Sequence, residues 1–280
     1  MNLIENQTYD KERSLYNLEK SKVINCTFAG AQDGESVLKE ARDIYLNSCY
    51  FNLRYPLWHV LKFKVENTTF KENSRAPIWY CQDGELNNCQ LDCIKAVREC
   101  DDINISNSTI NSEEFGWKSN NIRMENSNIN SVYIFLDSKN IYLKNVNFTG
   151  KYSFQYDENV LIEDSYLDTK DAFWHSKNVI VKNSTLKGEY LGWYSNNLTL
   201  INCKIIGTQP LCYCKNLRLI NCQMIDCDLS FEYSEVEATI NGTITSIKNP
   251  KSGIIKVDRV EEIILENSII DNNCQIITKE

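Results

Sequence analysis

The feature that most constrains this chain is a repeat nineteen residues long. It is plainest where Asp171-Ala172-Phe173-Trp174-His175-Ser176-Lys177-Asn178 leads into Val179 and Val181, and where Tyr190-Leu191-Gly192-Trp193-Tyr194-Ser195-Asn196-Asn197 leads into Leu198 and Leu200. Each copy runs from an aromatic segment to an Asn, two alternating apolar residues, a second Asn and a final apolar residue. Counting from the apolar residue after the first Asn, column one holds Gly84, Ile103, Ile122, Ile141, Val160, Val179, Leu198 and Leu217, always at the same interval. Column three holds Leu86, Ile105, Met124 and Leu143, and column eight holds Phe28, Phe51, Phe70, Leu91 and Ile110. The columns between are mostly polar, so the alternation is that of short strands with one face turned inward.

A pair of helices needs roughly 30 or more residues per repeat, so a helical solenoid does not fit this period. The β-branched content opposes helix as well, and the Leu-x-x-Leu-x-Leu pattern of a leucine-rich repeat is absent. The expected fold is all-β: a single-stranded, right-handed parallel β-helix of about 12 coils, each with about three short strands, stacked ~4.8 Å apart. Asn recurs in column five (Asn67, Asn88, Asn107, Asn183, Asn202) and in column nineteen (Asn121, Asn140, Asn178, Asn197, Asn216). Asn tolerates left-handed backbone and bonds to its own turn, so these columns mark the corners. Stacked carboxamides then donate one to the next as ladders.

The expectation for the ends is less regular. Residues 1–20 read as a cap made of a short helix or turn, 21–234 as regular coils, and 235–280 as irregular coils and a closing cap, all in one domain. Gly30 to Glu35 reads as an insertion, and the coil before Trp79 carries two extra residues. Thr245 to Val260 reads as an irregular excursion, and Ile263 to Ile270 as the closing strand pair. Open ends of such a stack need a cap or a partner, so association through an end or a face is expected.

Net charge is -8 without a basic block, which argues against nucleic acid and membrane as partners. No apolar run approaches the ~18 residues of a membrane span. The first residues lack the basic start and apolar stretch of a signal peptide, so the expected location is cytoplasmic. Most of the 12 Cys fall at small-residue columns and read as buried reduced thiols, with Cys26/Cys49, Cys81/Cys100 and Cys203/Cys222 on adjacent rungs and close enough to oxidise. Two His and no Cys-x-x-Cys leave no expected metal site, and no cofactor motif is present.

One strand position stands apart. All five Trp and both His lie between columns twelve and seventeen, in strings such as Tyr55-Pro56-Leu57-Trp58-His59, Ala76-Pro77-Ile78-Trp79-Tyr80 and Glu114-Phe115-Gly116-Trp117-Lys118. Column sixteen, which is polar or half-polar throughout, reads as solvent-facing: His59, Tyr80, Glu99, Lys118, Asp137, Tyr156, His175, Tyr194, Tyr213 and Glu232. Strict alternation then buries column fifteen: Trp58, Trp79, Trp117, Trp174 and Trp193, and with them Arg98 and Gln155. Buried Arg and Gln are costly, and a bulge turning both columns outward is the competing register.

Aromatic rings stack on sugars, and carboxylates with Lys or His move protons. The candidate ligand-binding residues are therefore Arg54, Trp58, His59, Arg75, Trp79, Tyr80, Arg98, Trp117, Tyr156, Trp174, Trp193, Tyr194 and Tyr213. Arg54 and Arg75 are placed to clamp a carboxylate or sulfate. Glu99 and Asp137, two coils and so about 9.6 Å apart, are candidate catalytic acids, with Lys118 between them and His175 as a further acid–base group. The competing reading of Glu99, Lys118 and Asp137 is a surface charge ladder alternating in sign.

On Arg54 to His59, Asp171 to Asn178, Leu191 to Tyr194 and Gln209-Pro210-Leu211-Cys212-Tyr213-Cys214, the chain resembles a bacterial family of predicted right-handed parallel β-helices of the pectin-lyase-like class. The resemblance spans nearly the whole chain and implies the fold; the family has no assigned activity to carry over. The wider fold implies carbohydrate lyases, hydrolases and esterases by analogy. The function expected is a carbohydrate-interacting protein with a saccharide ligand, as a glycoside hydrolase or polysaccharide lyase; the alternative is a non-catalytic scaffold for protein interaction.

Overall fold

A computed structural model describes residues 1–30 and 34–279. The chain is an all-β parallel β-solenoid of about 14 turns, against the dozen expected. Among the described residues the one helical element is the 3-10 turn Glu72–Ser74, and no helix is long and apolar enough to cross a membrane. The chain divides into two compact units, Met1–Tyr142 and Leu143–Glu280.

In the first unit, strands Asn2–Glu5, Glu19–Ile24, Arg42–Asn47, Leu61–Glu66, Gln82–Asn87 and Asp101–Ser106 stack in parallel. Their register follows the column count, with Ile44 opposite Phe63, Phe63 opposite Gly84, and Gly84 opposite Ile103. A second face is built from Thr8–Tyr9, Thr27–Phe28, Tyr50–Phe51, Thr69–Phe70 and Gln90–Lys95. The third is a three-stranded sheet of Leu57–Trp58, Ile78–Trp79 and Val97–Arg98. The second unit repeats the first two faces, from Glu158–Glu163 and Tyr166–Lys170 onward. Its aromatic segments are turns rather than strands, with Phe154, Phe173 and Leu211 at positive φ.

The Asn columns behave as their chemistry requires. Asn67, Asn107, Asn121, Asn183 and Asn202 all sit near φ +50°, the left-handed region that Asn tolerates best among non-glycine residues. Their carboxamides form ladders: Asn88 donates to Asn67 at 2.7 Å, Asn221 to Asn202 at 2.9 Å, and Asn197 to Asn178 at 2.9 Å. Where column nineteen lacks Asn, an ion pair takes over, as between Lys62 and Asp43 at 3.3 Å.

The small-residue columns have a reason too. At the inner corner the backbone turns away from the ladder, and its N–H is met by a hydroxyl one coil on: Cys89 N–H donates to Ser108 Oγ (3.0 Å), and Ser108 N–H to Ser127 Oγ (3.1 Å). Each hydroxyl donates in turn to the carbonyl two residues back, as Ser108 Oγ does to Ser106 O at 2.7 Å. Cys makes the same contact, as from Cys89 Sγ to Asn87 O, and adds one to the preceding coil, from Cys89 Sγ to Val65 O and from Cys222 Sγ to Leu200 O. The thiols are free, buried in every case but the half-buried Cys274, and burial pushes those of Cys49 and Cys89 up to about 11. Ser108→Ala is expected to cost about 1–3 kcal/mol in urea unfolding, because a buried N–H loses its acceptor. Ser108→Cys should fall between, since sulfur accepts weakly. An Ala variant as stable as the parent would remove this account of the column.

The ends depart from expectation. Residues 2–9 are no cap: Asn2–Glu5 and Thr8–Tyr9 are strands of a full coil, followed by a turn over 12–17. Part of the insertion at Gly30 to Glu35 lies outside the described residues. Thr245 to Val260 is not irregular, because Glu235–Lys248 and Ser252–Ile264 are long paired strands. Val236 pairs there with Gly253, so the coil is shorter than nineteen residues, and a bulge between Ile240 and Thr243 shifts the register. Closure comes from Asn273–Thr278 pairing with Ser252–Ile264, not from Ile263 to Ile270.

Candidate functional site

The register on the aromatic face is the bulged one, which corrects the burial of column fifteen. Leu57, Ile78 and Val97 in column fourteen are buried, Trp58, Trp79, Arg98 and Trp117 in column fifteen are half-buried, and His59, Tyr80, Lys118 and Asp137 in column sixteen are exposed. Column sixteen is left-handed throughout, with His59 at φ 56, Glu99 at φ 51, His175 at φ 56 and Tyr194 at φ 59. That extra turn places two consecutive side chains outside before the chain re-enters the core at Val60, Cys81, Cys100 and Ser119. Each left-handed N–H still donates along the stack, as from His59 to Trp79 O at 3.0 Å and from His175 to Trp193 O at 3.1 Å. In the last of these coils the register slips by one: Tyr233, not Glu232, takes column sixteen at φ 56, and Glu232 O accepts from Tyr213 N–H.

In the first unit, Trp58 stacks on Trp79 (5.6 Å between centroids, 9°) and His59 on Tyr80 (5.0 Å, 21°). Tyr55 packs edge-on against Trp79 at 5.5 Å. The stack stops there, because the register partner of Trp79 on the far side is Arg98. Arg98 turns away to lie over Trp117 (5.4 Å) and to pair with Glu99 (3.2 Å) and Glu114 (2.9 Å). A cavity of about 180 Å³ opens beside Trp79, walled also by Tyr55, Arg75, Ile94, Lys95 and Arg98.

The candidate acids Glu99 and Asp137 lie two rungs apart, with Lys118 on the rung between, and they are not equivalent. Glu99 accepts from Arg98 Nε at 3.2 Å, and its carboxylate beside Tyr80 holds that phenol above its ordinary range. No ion pair within 4.0 Å joins Lys118 to Glu99 or to Asp137 among the described residues. Arg54 is paired with Glu35 at 3.3 Å, whereas Arg75 lines the cavity.

The second unit holds a longer outer ladder. Tyr156, His175, Tyr194 and Tyr213 stack at 5.1, 5.0 and 4.7 Å, within 11° of parallel. Trp174 stacks on Trp193 at 5.4 Å, and the two indoles donate to Tyr190 O and Gln209 O, both at 2.8 Å. Burial and the nearby Glu232 push the Tyr213 phenol up to about 12. Ring faces here cover one another, so these side chains present mainly edges. Trp117 bonds as the later indoles do, to Tyr133 O at 3.0 Å. Trp58 and Trp79 do not, and their buried indole N–H groups have no acceptor among the described residues.

Tyr55, Lys95 and Glu114 were not among the residues singled out by sequence. All three lie in or near column twelve, and the clue was their place beside the scarce Trp residues. A second surface cleft, of about 570 Å³, lies on another face of the first unit between Lys22, Asp43, Tyr45, Lys62, Glu66 and Glu85. Its one sequence signal is the replacement of Asn by Asp and Lys in column nineteen.

A sequence-family model described as a protein of unknown function (DUF3737) matches residues 2–277. None of the curated proteins matches the sequence significantly. Among solved structures, PfbA, a surface adhesin of Streptococcus pneumoniae, is 10% identical with a TM-score of 0.49, over 86% of this chain and 80% of that one. A mutant tailspike protein of E. coli bacteriophage HK620, in complex with a hexasaccharide, is 11% identical with a TM-score of 0.48, over 93% of this chain and 60% of its own. A mannuronic acid specific polysaccharide family 6 lyase from human gut microbiota is 8% identical with a TM-score of 0.46, over 96% and 85%.

Proposed function

We propose that this chain, which belongs to that family of proteins of unknown function, binds a saccharide on the outward aromatic and charged columns of its first unit. The observation that supports this reading is the interruption of the ring stack at Trp79. Rings elsewhere on the face stack on one another or, like Trp117 under Arg98, lie beneath a cation. Beside Trp79, where Arg98 replaces the next ring, an aromatic wall borders an open cavity of about 180 Å³. That is below the ~300–1,000 Å³ of a drug-sized pocket and of the order of a single sugar ring. Glu99, Lys118 and Asp137 continue from it on successive left-handed rungs, offering polar groups to the rest of an extended chain. Binding rather than hydrolysis is the reading favoured by Glu99, whose carboxylate is already paired with Arg98.

Trp79→Ala is expected to weaken oligosaccharide binding about tenfold or more, read by calorimetry on a panel of neutral and acidic oligosaccharides, with circular dichroism unchanged. Trp79→Phe should retain most of the affinity. Equal binding by parent and Trp79→Ala would overturn the placement of the site. Failure of the parent to bind any saccharide would favour the scaffold reading. Product release that is lost in Glu99→Gln would convert the reading from binding protein to enzyme.

A further inference from the structure

We infer that the cavity beside Trp79 accepts an anionic substituent of the bound sugar, a carboxylate or a sulfate ester, with Arg75 as its principal counter-ion. The inference rests on the saccharide reading above and names the chemical class of the ligand. Three cations wall this small space: Arg75, Lys95 and Arg98. Among the described residues the acids in contact with them are two. Glu114 takes Arg98 at 2.9 Å and Lys95 at 3.4 Å, and Glu99 takes Arg98 at 3.2 Å. Arg75 alone of the three has no ion pair among the described residues, so one positive charge at the rim is uncompensated.

Arg75 is also held in place before any ligand arrives. It closes the 3-10 turn Glu72–Ser74 at φ 54 and ψ -74, a rare backbone conformation for a residue with a Cβ. Its N–H donates to Glu72 O at 3.1 Å and its carbonyl accepts from Lys95 N–H at 2.7 Å. The side chain therefore leaves from a backbone pinned on both sides. The turn exists because this coil carries two residues more than its neighbours, and those residues bring Arg75 to the cavity. In the same lining, Trp79 and Tyr55 supply the apolar wall that a ring carbon skeleton needs. A planar guanidinium suits a carboxylate or sulfate, and an aromatic wall suits the ring that carries it. Neither element alone would select a charged sugar.

The test uses the whole chain with three probes of equal length: neutral tetragalactose, tetragalacturonate and a sulfated galactose tetrasaccharide. At least one acidic probe should bind about tenfold more tightly than the neutral one. Arg75→Gln should erase that difference, bringing the acidic probe to the affinity of the neutral one, and Lys95→Gln should reduce it in part. Whichever acidic probe keeps the advantage identifies carboxylate or sulfate ester as the group bound. Equal affinity for neutral and acidic probes would overturn the anion site while leaving the saccharide reading intact. Equal loss for all probes in Arg75→Gln would overturn it as well, since Arg75 would then be shaping the turn rather than meeting the charge. If none of the three binds, the saccharide reading fails and this inference falls with it. Melting temperatures of the variants separate these outcomes from loss of fold.

Discussion

Gly188→Ala is expected to cost the second unit about 4 kcal/mol or more, a loss in the range reserved for changes the structure cannot absorb. Gly188 sits at φ +144, and a Cβ built there would lie 1.9 Å from Thr169 O and 2.5 Å from the carbonyl carbon behind it. The obstacle is backbone on the adjacent rung, so no rotamer can relieve the clash. Gly188 cannot move the other way either, because its N–H donates to Ile206 O at 2.8 Å. Gly207, one coil on, repeats the arrangement at φ +127, its added Cβ 2.3 Å from Gly188 O. Gly242 supplies the control: φ is +89 and nothing lies within 4 Å of an added Cβ. Ala there should cost about 1 kcal/mol, from backbone strain alone. Urea unfolding of both variants against the parent checks the pair. A Gly188→Ala protein within about 1 kcal/mol of the parent would mean that the rungs do not approach as described.

The scaffold was legible because its residues announce their backbone. Asn at columns five and nineteen signals left-handed corners, and the apolar columns alternate wherever strands are regular. The aromatic face was not legible for the same reason in reverse. Its left-handed position is filled by His59, Tyr80, Glu99, Lys118, His175 and Tyr194, residue types with no turn signature. Strict alternation therefore misplaced Trp58 and its equivalents, and the trace of the truth was the discomfort of burying Arg98 and Gln155. The cavity was further out of reach. It depends on where a two-residue insertion folds into a 3-10 turn and on which way Arg98 swings, and both are settled by packing rather than by local preference. The last coils were misread because a bulge and a shortened repeat broke the count, although Val236, Ala238 and Ile240 kept the alternation.

The second large effect is expected at Phe51→Ala, about 3–5 kcal/mol in unfolding free energy. Phe28, Phe51 and Phe70 are fully buried and stack at 4.4 and 4.9 Å with interplanar angles of 4° and 9°. Removing the middle ring leaves a cavity between two rings that cannot close on it, since the rung spacing is fixed by the backbone ladders. It also removes two stacks of about 0.5–1.5 kcal/mol each, which places the loss toward the upper end. Phe51→Leu should cost about 1–2 kcal/mol, because Leu91, Leu167 and Leu186 fill the same column elsewhere. The informative comparison is Tyr194→Ala, on the outer ladder. Tyr194 stacks on His175 and Tyr213 at 5.0 and 4.7 Å, much as Phe51 does on its neighbours, but it is 47% exposed. Its loss takes away stacking and little burial, so about 1 kcal/mol is expected. Were Tyr194→Ala as damaging as Phe51→Ala, the outer rings would be holding the solenoid together and their concentration on one face would need no ligand to explain it. A small cost leaves them free for recognition.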